Sequence, residues 1–417
     1  IKDNKIDPTK IGRVYLGTES GVDASKPTSS YVVEILEDVF AEEFGKRCFK
    51  NCDIVDLTFA CAGAVDALQN CCDWVRNGEN RMAIVIASDI AKYELNSTGE
   101  YTQGAGSVSM MICENPSIIS FNGAWGVSTK GIGDFFKPRR LFKKSNILIE
   151  AAKLLGQNVS SDEAENILEN ADSKFWSDSN EIIEVYKEEP IFEGQFSNES
   201  YKDRVYEAIE DFNFQNQRNI LNDWDNIVFH LPYAYHGRRM IVNKWIDWMK
   251  ENNRSAEIFS EIGEPASKDD QDWVKKVSKS KLYTSFIDKK IAPGETASSE
   301  IGNMYTASIF MSLISSLVTA YDDEFQYENK KIGFVSYGSG SKAKIFEGTV
   351  QKNWVEKIKN LNLFNSLSKR KKITIDVYED LHKRKISSNI NNNHGIIKLE
   401  KISQGEFDEG LRNYIKH

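Results

Sequence analysis

The chain has 417 residues, 53 basic and 62 acidic side chains, a net charge of −9 and a hydrophobic content of 40 %. It is too apolar for a disordered chain and long enough to bury one large core or two ordinary ones. The acidic balance argues against a nucleic-acid coat, and no apolar run reaches the roughly 18 residues of a membrane span. The chain opens on Ile1-Lys2-Asp3-Asn4, with no basic-then-apolar leader in the sequence given. The run Arg13-Val14-Tyr15-Leu16 predicts a strand, and Glu19 follows at its end. A carboxylate there is costly unless it has a partner or a task. Asp53 to Ala60 predicts a second strand, followed by a small-residue turn from Cys61 to Ala64. Val65, Leu68, Cys72 and Val75 then fall on one face of a helix.

The stretch from Arg139 to Pro190 is charged and reads as a helical excursion, with Ile147, Ile149, Ala152, Leu154 and Leu155 at helical spacing. Ser160-Ser161-Asp162-Glu163 predicts a helix start. Asn226 to Phe229 predicts a strand, His230-Leu231-Pro232 a turn, and Ile241, Trp245 and Trp248 a further helix. The run from Ala307 to Ala320 is too short and too rich in Ser and Thr to span a membrane and reads as a buried helix. Lys369-Arg370-Lys371-Lys372 reads as a solvated loop before a strand at Ile373 to Val377. Lys383-Arg384-Lys385 precedes an Asn-rich turn from Asn389 to Asn393. From Ser341 onward the net charge is +7, which leaves −16 on the rest. Strands alternating with amphipathic helices indicate an α/β protein. The two strand–turn–helix units, one holding Cys61 and the other His230, suggest a duplicated architecture around a shared site.

The six cysteines, Cys48, Cys52, Cys61, Cys71, Cys72 and Cys113, form no CxxC pair. Neither a zinc site nor a disulfide framework follows, and a reduced, intracellular protein with no metal is expected. Five of them read as small buried hydrophobes. Cys61 differs, because it sits at a strand–helix junction among Ala60, Ala62, Gly63 and Ala64. Small neighbours admit a substrate, and a helix N-terminus is expected to lower a thiol pKa. On that segment alone a packed core cysteine is the stronger reading. Glu19 suits either a structural ion pair or a general base, and His230 either a core histidine or a catalytic one.

Taken together, several segments resemble the 3-hydroxy-3-methylglutaryl-CoA (HMG-CoA) synthase family of the thiolase superfamily. They are Gly17-Thr18-Glu19-Ser20-Gly21-Val22-Asp23, Ala60-Cys61, Ala87 to Tyr93, Thr102-Gln103-Gly104-Ala105-Gly106, and Asp134-Phe135-Phe136-Lys137-Pro138. Phe229-His230-Leu231-Pro232, Ile301 to Ser308 and Ser336 to Ser341 complete the set, in the family's order. The resemblance implies a five-layered αβαβα fold with two related halves. Residues 1–138 would form the N-terminal half, 139–190 a helical insertion and 191–417 the C-terminal half. It implies an acyltransferase of the mevalonate pathway that takes acetyl-CoA and acetoacetyl-CoA as substrates, with no separate cofactor. Cys61 would carry the acetyl group, Glu19 would remove a methyl proton, and His230 would assist at the ketone oxygen. Tyr93, Thr102, Ser197, Asn303 and Ser339 would line the substrate site, and a cytoplasmic homodimer is expected.

Three departures stand beside the resemblance. The family usually begins well upstream with a strand, a helix and a substrate-contacting Asp, so a longer native chain and an open sheet edge are expected. Ala62 replaces an aromatic residue. A family Lys after the His-x-Pro motif is missing, and Arg238 or Arg239 would take over its contact with the CoA phosphates. Within the family the alternative is a β-branching synthase whose acceptor is tethered to an acyl carrier protein. A non-catalytic scaffold subunit is opposed by the intact Glu19, Cys61 and His230, and a decarboxylating ketoacyl synthase by Glu19.

Overall fold

A computed structural model describes residues 1–177, 180–267, 270–386 and 397–416. The Asn-rich segment 389–393 lies outside the described residues. The first sheet takes β1 (Ile11–Gly17), β2 (Asp53–Leu57), β3 (Met82–Ile90) and β4 (Ala105–Cys113) in the order β2-β1-β3-β4. The first three run parallel and β4 antiparallel to β3. Alternate residues of β1 serve opposite faces. Val14 packs with Phe40 of α1 (Thr28–Phe44), whereas Tyr15 packs with Ala67 and Cys71 of α2 (Gly63–Arg76). Among the described residues β4 has no further strand on its outer side.

Between the two sheets' main strands the chain runs through β5 (Ile119–Thr129), the two-residue β6 (Phe135–Phe136) and β7 (Arg139–Lys143). Then come α3 (Lys144–Leu154), α4 (Ser161–Glu169) and the single turn α5 (Lys174–Ser177). β8 (Ile182–Tyr186) returns antiparallel to β7, so a strand pair closes the helical stretch at its base. Ser160 caps α4 in a reciprocal box with Glu163, as expected from its sequence. Leu154 and Leu155 are not on a packed face; they are exposed, and Ala152 is the apolar residue α3 buries.

β9 (Ile191–Phe192) pairs with β6, and α6 (Gly194–Asn216) and α7 (Ile220–Asp223) follow. Next are β10 (Asn226–Phe229), α8 (His236–Glu251), α9 (Ser255–Ile262), α10 (Gln271–Val277), α11 (Lys281–Lys290) and α12 (Ala292–Ile301). α13 (Ser308–Asp322), β11 (Lys331–Gly338) and β12 (Lys342–Val350) complete the second sheet, of order β10-β11-β12-β5. Val228, Phe334 and Phe346 face α2 and α13 in the layer between the sheets. Phe229, Val335 and Ile345 face α6, α8 and α11 on the outside. The layers are therefore α1, sheet, α2 with α13, sheet, and the α6–α8–α11 group, the five-layered α/β architecture expected. Ala307 to Ala320 is the central buried helix α13. In α8, Met249 rather than Trp248 completes the buried stripe with Ile241 and Trp245.

Topology corrects the pairing of the two repeated units. β10 lies parallel to β11 as β1 lies parallel to β3, and β12 then turns back as β4 does. The helix after β10 is an outer one, like α1 after β1. His230 is thus the counterpart of Glu19, and Asn303, just before α13, is the counterpart of Cys61, just before α2.

The C-terminal part continues with α14 (Trp354–Ile358), α15 (Leu363–Ser368), α16 (Ile375–His382) and the antiparallel pair β13 (Ile397–Ile402) and β14 (Arg412–Lys416). The basic run 369–372 is an exposed loop. A strand was expected at Ile373 to Val377, but α16 forms, capped by Thr374, whose side chain accepts from Val377 N. Tertiary contacts outweigh the β-branched run. The Tyr378 hydroxyl bonds Glu100, and His382 Nε2 lies 2.7 Å from the Tyr93 carbonyl, so helical spacing docks both on the segment that carries Tyr93 and Thr102.

Candidate active site

Four chain segments bring their ends together where the halves meet. Glu19 follows β1, Cys61 precedes α2, His230 follows β10 and Asn303 precedes α13. Close approach depends on missing side chains. A Cβ on Gly17 would lie 2.1 Å from Ala64 N, and one on Gly338 would lie 2.5 Å from Phe59 O. Glycine is what lets β1 and the 337–339 loop reach the turn around Cys61. Ala60, just before Cys61, has φ 40°, and Tyr305 has φ 43°, both in the left-handed region. That conformation costs an L residue about 1–2 kcal/mol, and such strain clusters at functional sites.

Cys61 Sγ lies 3.4 Å from Glu19 Oε1, to which the thiol donates. The other carboxylate oxygen, Oε2, is 3.4 Å from Lys137 Nζ, which also sits 4.6 Å from the centre of the Tyr305 ring. Asp89, at the end of β3, holds the backbone in place. It accepts from Glu19 N at 2.9 Å, Thr18 Oγ1 at 2.9 Å and Thr306 N at 3.1 Å. Thr306 in turn accepts from Ala64 N at 2.8 Å, which ties the two halves across the nucleophile turn. Asp134 accepts from the Tyr337 hydroxyl at 2.5 Å and from Gly340 N at 2.7 Å, fixing the loop that carries Ser339.

Burial pushes the Glu19 carboxyl up to about 7, with Asp89 adding to the shift and Lys137 opposing it. Cys61 is held well above the usual thiol value, first by burial and then by the charges of Glu19 and Asp89. This reverses the expected lowering at a helix N-terminus. Desolvation and two carboxylates outweigh the helix end, so the resting thiol is protonated and needs a base. Burial lowers His230 to about 3, a hydrogen bond to the Tyr305 backbone working the other way, so the imidazole is neutral. Its Nδ1 has no hydrogen-bond partner among the described residues.

A cavity of about 240 Å³ opens beside the thiol. Cys61 and His230 lie on its wall, as do the expected Tyr93, Thr102, Ser197, Asn303 and Ser339. Glu19 sits behind the thiol, in contact with it rather than on the wall. Arg239 is not on the wall either; it is exposed, its guanidinium 5.4 Å from the centre of the Tyr233 ring. Arg238 is not available for phosphate, because Glu295 holds it bidentately from a buried position. Sequence reasoning missed Lys137, Asp89, Tyr305 and His236. Asp89 carries the same signal as Glu19, a carboxylate closing a buried strand. Lys137 stood in the 134–138 segment of the resemblance but was given no role, since its partner lies more than a hundred residues away in sequence. The assembled groups are a protonated thiol, a carboxylate poised near neutrality and a neutral imidazole with an unused nitrogen. They suit acyl transfer followed by proton abstraction next to a thioester carbonyl.

The family description "Hydroxymethylglutaryl-coenzyme A synthase N terminal" matches residues 1–117, and "Hydroxymethylglutaryl-coenzyme A synthase C terminal" matches 183–407. A hydroxymethylglutaryl-CoA synthase from Haloferax volcanii is 27 % identical over 97 % of this chain and 81 % of its own length. In fold, the chain is similar to MvaS in complex with 3-hydroxy-3-methylglutaryl coenzyme A. The TM-score is 0.72 at 22 % identity, over 100 % of this chain and 84 % of that one. It is also similar to the curacin pathway HMG synthase in complex with apo donor-ACP. There the TM-score is 0.63 at 19 % identity, over 91 % of this chain and 73 % of that one.

Proposed function

The chain belongs to the hydroxymethylglutaryl-coenzyme A synthase family, and from that premise we propose how its residues condense acetyl-CoA with acetoacetyl-CoA. The Cys61 proton passes to Glu19, and the thiolate attacks the acetyl carbonyl. As the bond to the CoA sulfur breaks, the departing thiolate takes that proton from Glu19. Glu19, ionised again, removes a proton from the acetyl methyl, and the enolate carbon bonds to C3 of acetoacetyl-CoA. His230 stands by the ketone oxygen as negative charge gathers there, and that oxygen takes up the proton that Glu19 drew from the methyl, so the condensation leaves no net proton behind. Water then hydrolyses the Cys61 thioester to release 3-hydroxy-3-methylglutaryl-CoA. The reading needs no cofactor beyond the CoA thioesters, because hydrogen-bond donors stand where charge develops. A single observation carries it. The Cys61 thiol donates to Glu19 beside a cavity that also holds an unpartnered His230 nitrogen.

The test is turnover of free acetoacetyl-CoA against the same acyl group on a carrier protein. Release of CoA from acetyl-CoA with free acetoacetyl-CoA as the acceptor, on the order of 1–100 per second, is the expected result. Turnover of the carrier-tethered acceptor alone would replace this reading with the β-branching one.

Lys137 sets the pH window. Glu19 acts as a base only when ionised, so condensation falls as pH drops through about 7. The Lys137 cation favours the ionised form. In Lys137→Met the acid limb of the rate profile should therefore move upward, by about 1–3 pH units. An unmoved limb would remove Lys137 from the account.

We place the protein in the cytoplasm, where its free cysteines stay reduced, and expect a homodimer. Among the described residues neither β2 nor β4 has a strand on its outer side, which supports an association through an edge of this sheet, and light scattering reads the mass directly.

A further inference from the structure

Two buried imidazoles line the cavity, and the reaction as described uses one. His236 opens α8 and is 0 % exposed, and neither Nδ1 nor Nε2 has a hydrogen-bond partner among the described residues. Its ring is caged edge-on by Tyr201 at 4.5 Å and by Tyr233 at 4.7 Å between centres. The backbone holds it there. His236 N donates to the Tyr233 carbonyl at 3.1 Å, and glycine at 237 lets the helix press onto Phe229, where a Cβ would meet the ring at 2.7 Å. A buried polar ring with two unpartnered nitrogens is destabilising and points to a ligand group that satisfies it.

The chemistry of the two substrates says which group. An acetyl thioester offers one carbonyl oxygen, whereas a β-ketoacyl thioester offers two. The unpartnered polar groups on the wall divide accordingly. The Tyr305 hydroxyl clusters with Cys61 and Tyr93 at the acetyl end. His236 packs instead against Tyr201, whose ring centre is 6.3 Å from that of His230 and whose hydroxyl is committed to the His230 carbonyl at 2.9 Å. Ser197 and Asn198 also line the cavity, but Ser197 is only half-buried and Asn198 is exposed. Resting on the function proposed above, we infer that His236 binds the acceptor, donating a hydrogen bond to its thioester carbonyl while His230 serves the ketone. Burial, then the neighbouring His230 and the charge of Arg239, keep the His236 ring neutral, its pKa lowered to about 3, so it offers one donor nitrogen throughout the working pH range. Selection is thus built in for acceptors with a second oxygen two carbons from the ketone.

The test compares wild type, His236→Leu and His236→Gln in two assays: acetylation of Cys61 by acetyl-CoA alone, and the KM for acetoacetyl-CoA in the full reaction. In His236→Leu acetylation should stay within about twofold, while the acceptor KM rises about tenfold, as for one lost hydrogen bond. His236→Gln, which keeps a donor, should recover most of that loss. An unchanged KM in the Leu variant, or acetylation falling in parallel with it, would overturn the assignment. If the Leu variant does not fold, the Gln variant and His236→Asn decide by the same KM-to-acetylation comparison, an elevated acceptor KM in both overturning it. Failure of wild type to acetylate at all would instead remove the reading beneath it.

Discussion

Cys61→Ala should lower condensation by about four orders of magnitude or more, to the background of the uncatalysed reaction, with the fold intact. The acyl group has nowhere to rest without the sulfur. None of the other five cysteines lies on the cavity wall, so none can substitute. Loss of the side chain's one polar atom from a buried pocket changes packing little, and circular dichroism should be that of wild type. The variant also separates chemistry from electrostatics. Without the thiol Glu19 loses a hydrogen bond that favours its ionised form, but retains Lys137. Retention of more than about a hundredth of the wild-type rate would exclude a covalent route through this residue.

Glu19→Gln should uncouple the two halves of the reaction. The amide keeps the size and the backbone contact with Asp89 but cannot accept a proton from the acetyl methyl. Condensation should fall by about 10²–10⁴-fold, the range for loss of a positioned general base. Acetylation of Cys61 should slow for want of its base but persist, because removing the Glu19 charge also removes one of the causes that hold the thiol up. A thiol that ionises more easily can shed its proton to solvent, whereas a carbon acid cannot. Exchange of acetyl methyl hydrogens with deuterated water reads the step directly. Wild-type acetyl-enzyme should exchange and the Gln variant should not. Condensation within tenfold of wild type would take the base role from Glu19.

The parts legible in the sequence were those written in local period and in strand ends. β2 with α2 and β10 with α8 follow from apolar spacing, and Glu19, Cys61 and His230 each stand where such an element stops. What the sequence hid depends on distant residues. The two-fold correspondence of His230 with Glu19 is a matter of which strand pairs with which, and local spacing pointed to Cys61 instead. The thiol's pKa follows from Asp89 and Glu19 packed around it, not from the helix start beside it in sequence. α16 reads as a strand until Tyr378 and His382 are seen docked on the 93–103 segment. His236 carried no signal in the sequence, and only the packed structure shows its buried nitrogens without partners among the described residues.

The most direct measurement isolates wild-type protein after exposure to isotopically labelled acetyl-CoA, maps the label by peptide mass, and then adds unlabelled acetoacetyl-CoA. The label should sit on the Cys61 peptide and leave it as 3-hydroxy-3-methylglutaryl-CoA, in one turnover. Label elsewhere, or label that stays on Cys61 when the acceptor is added, would contradict the central claim.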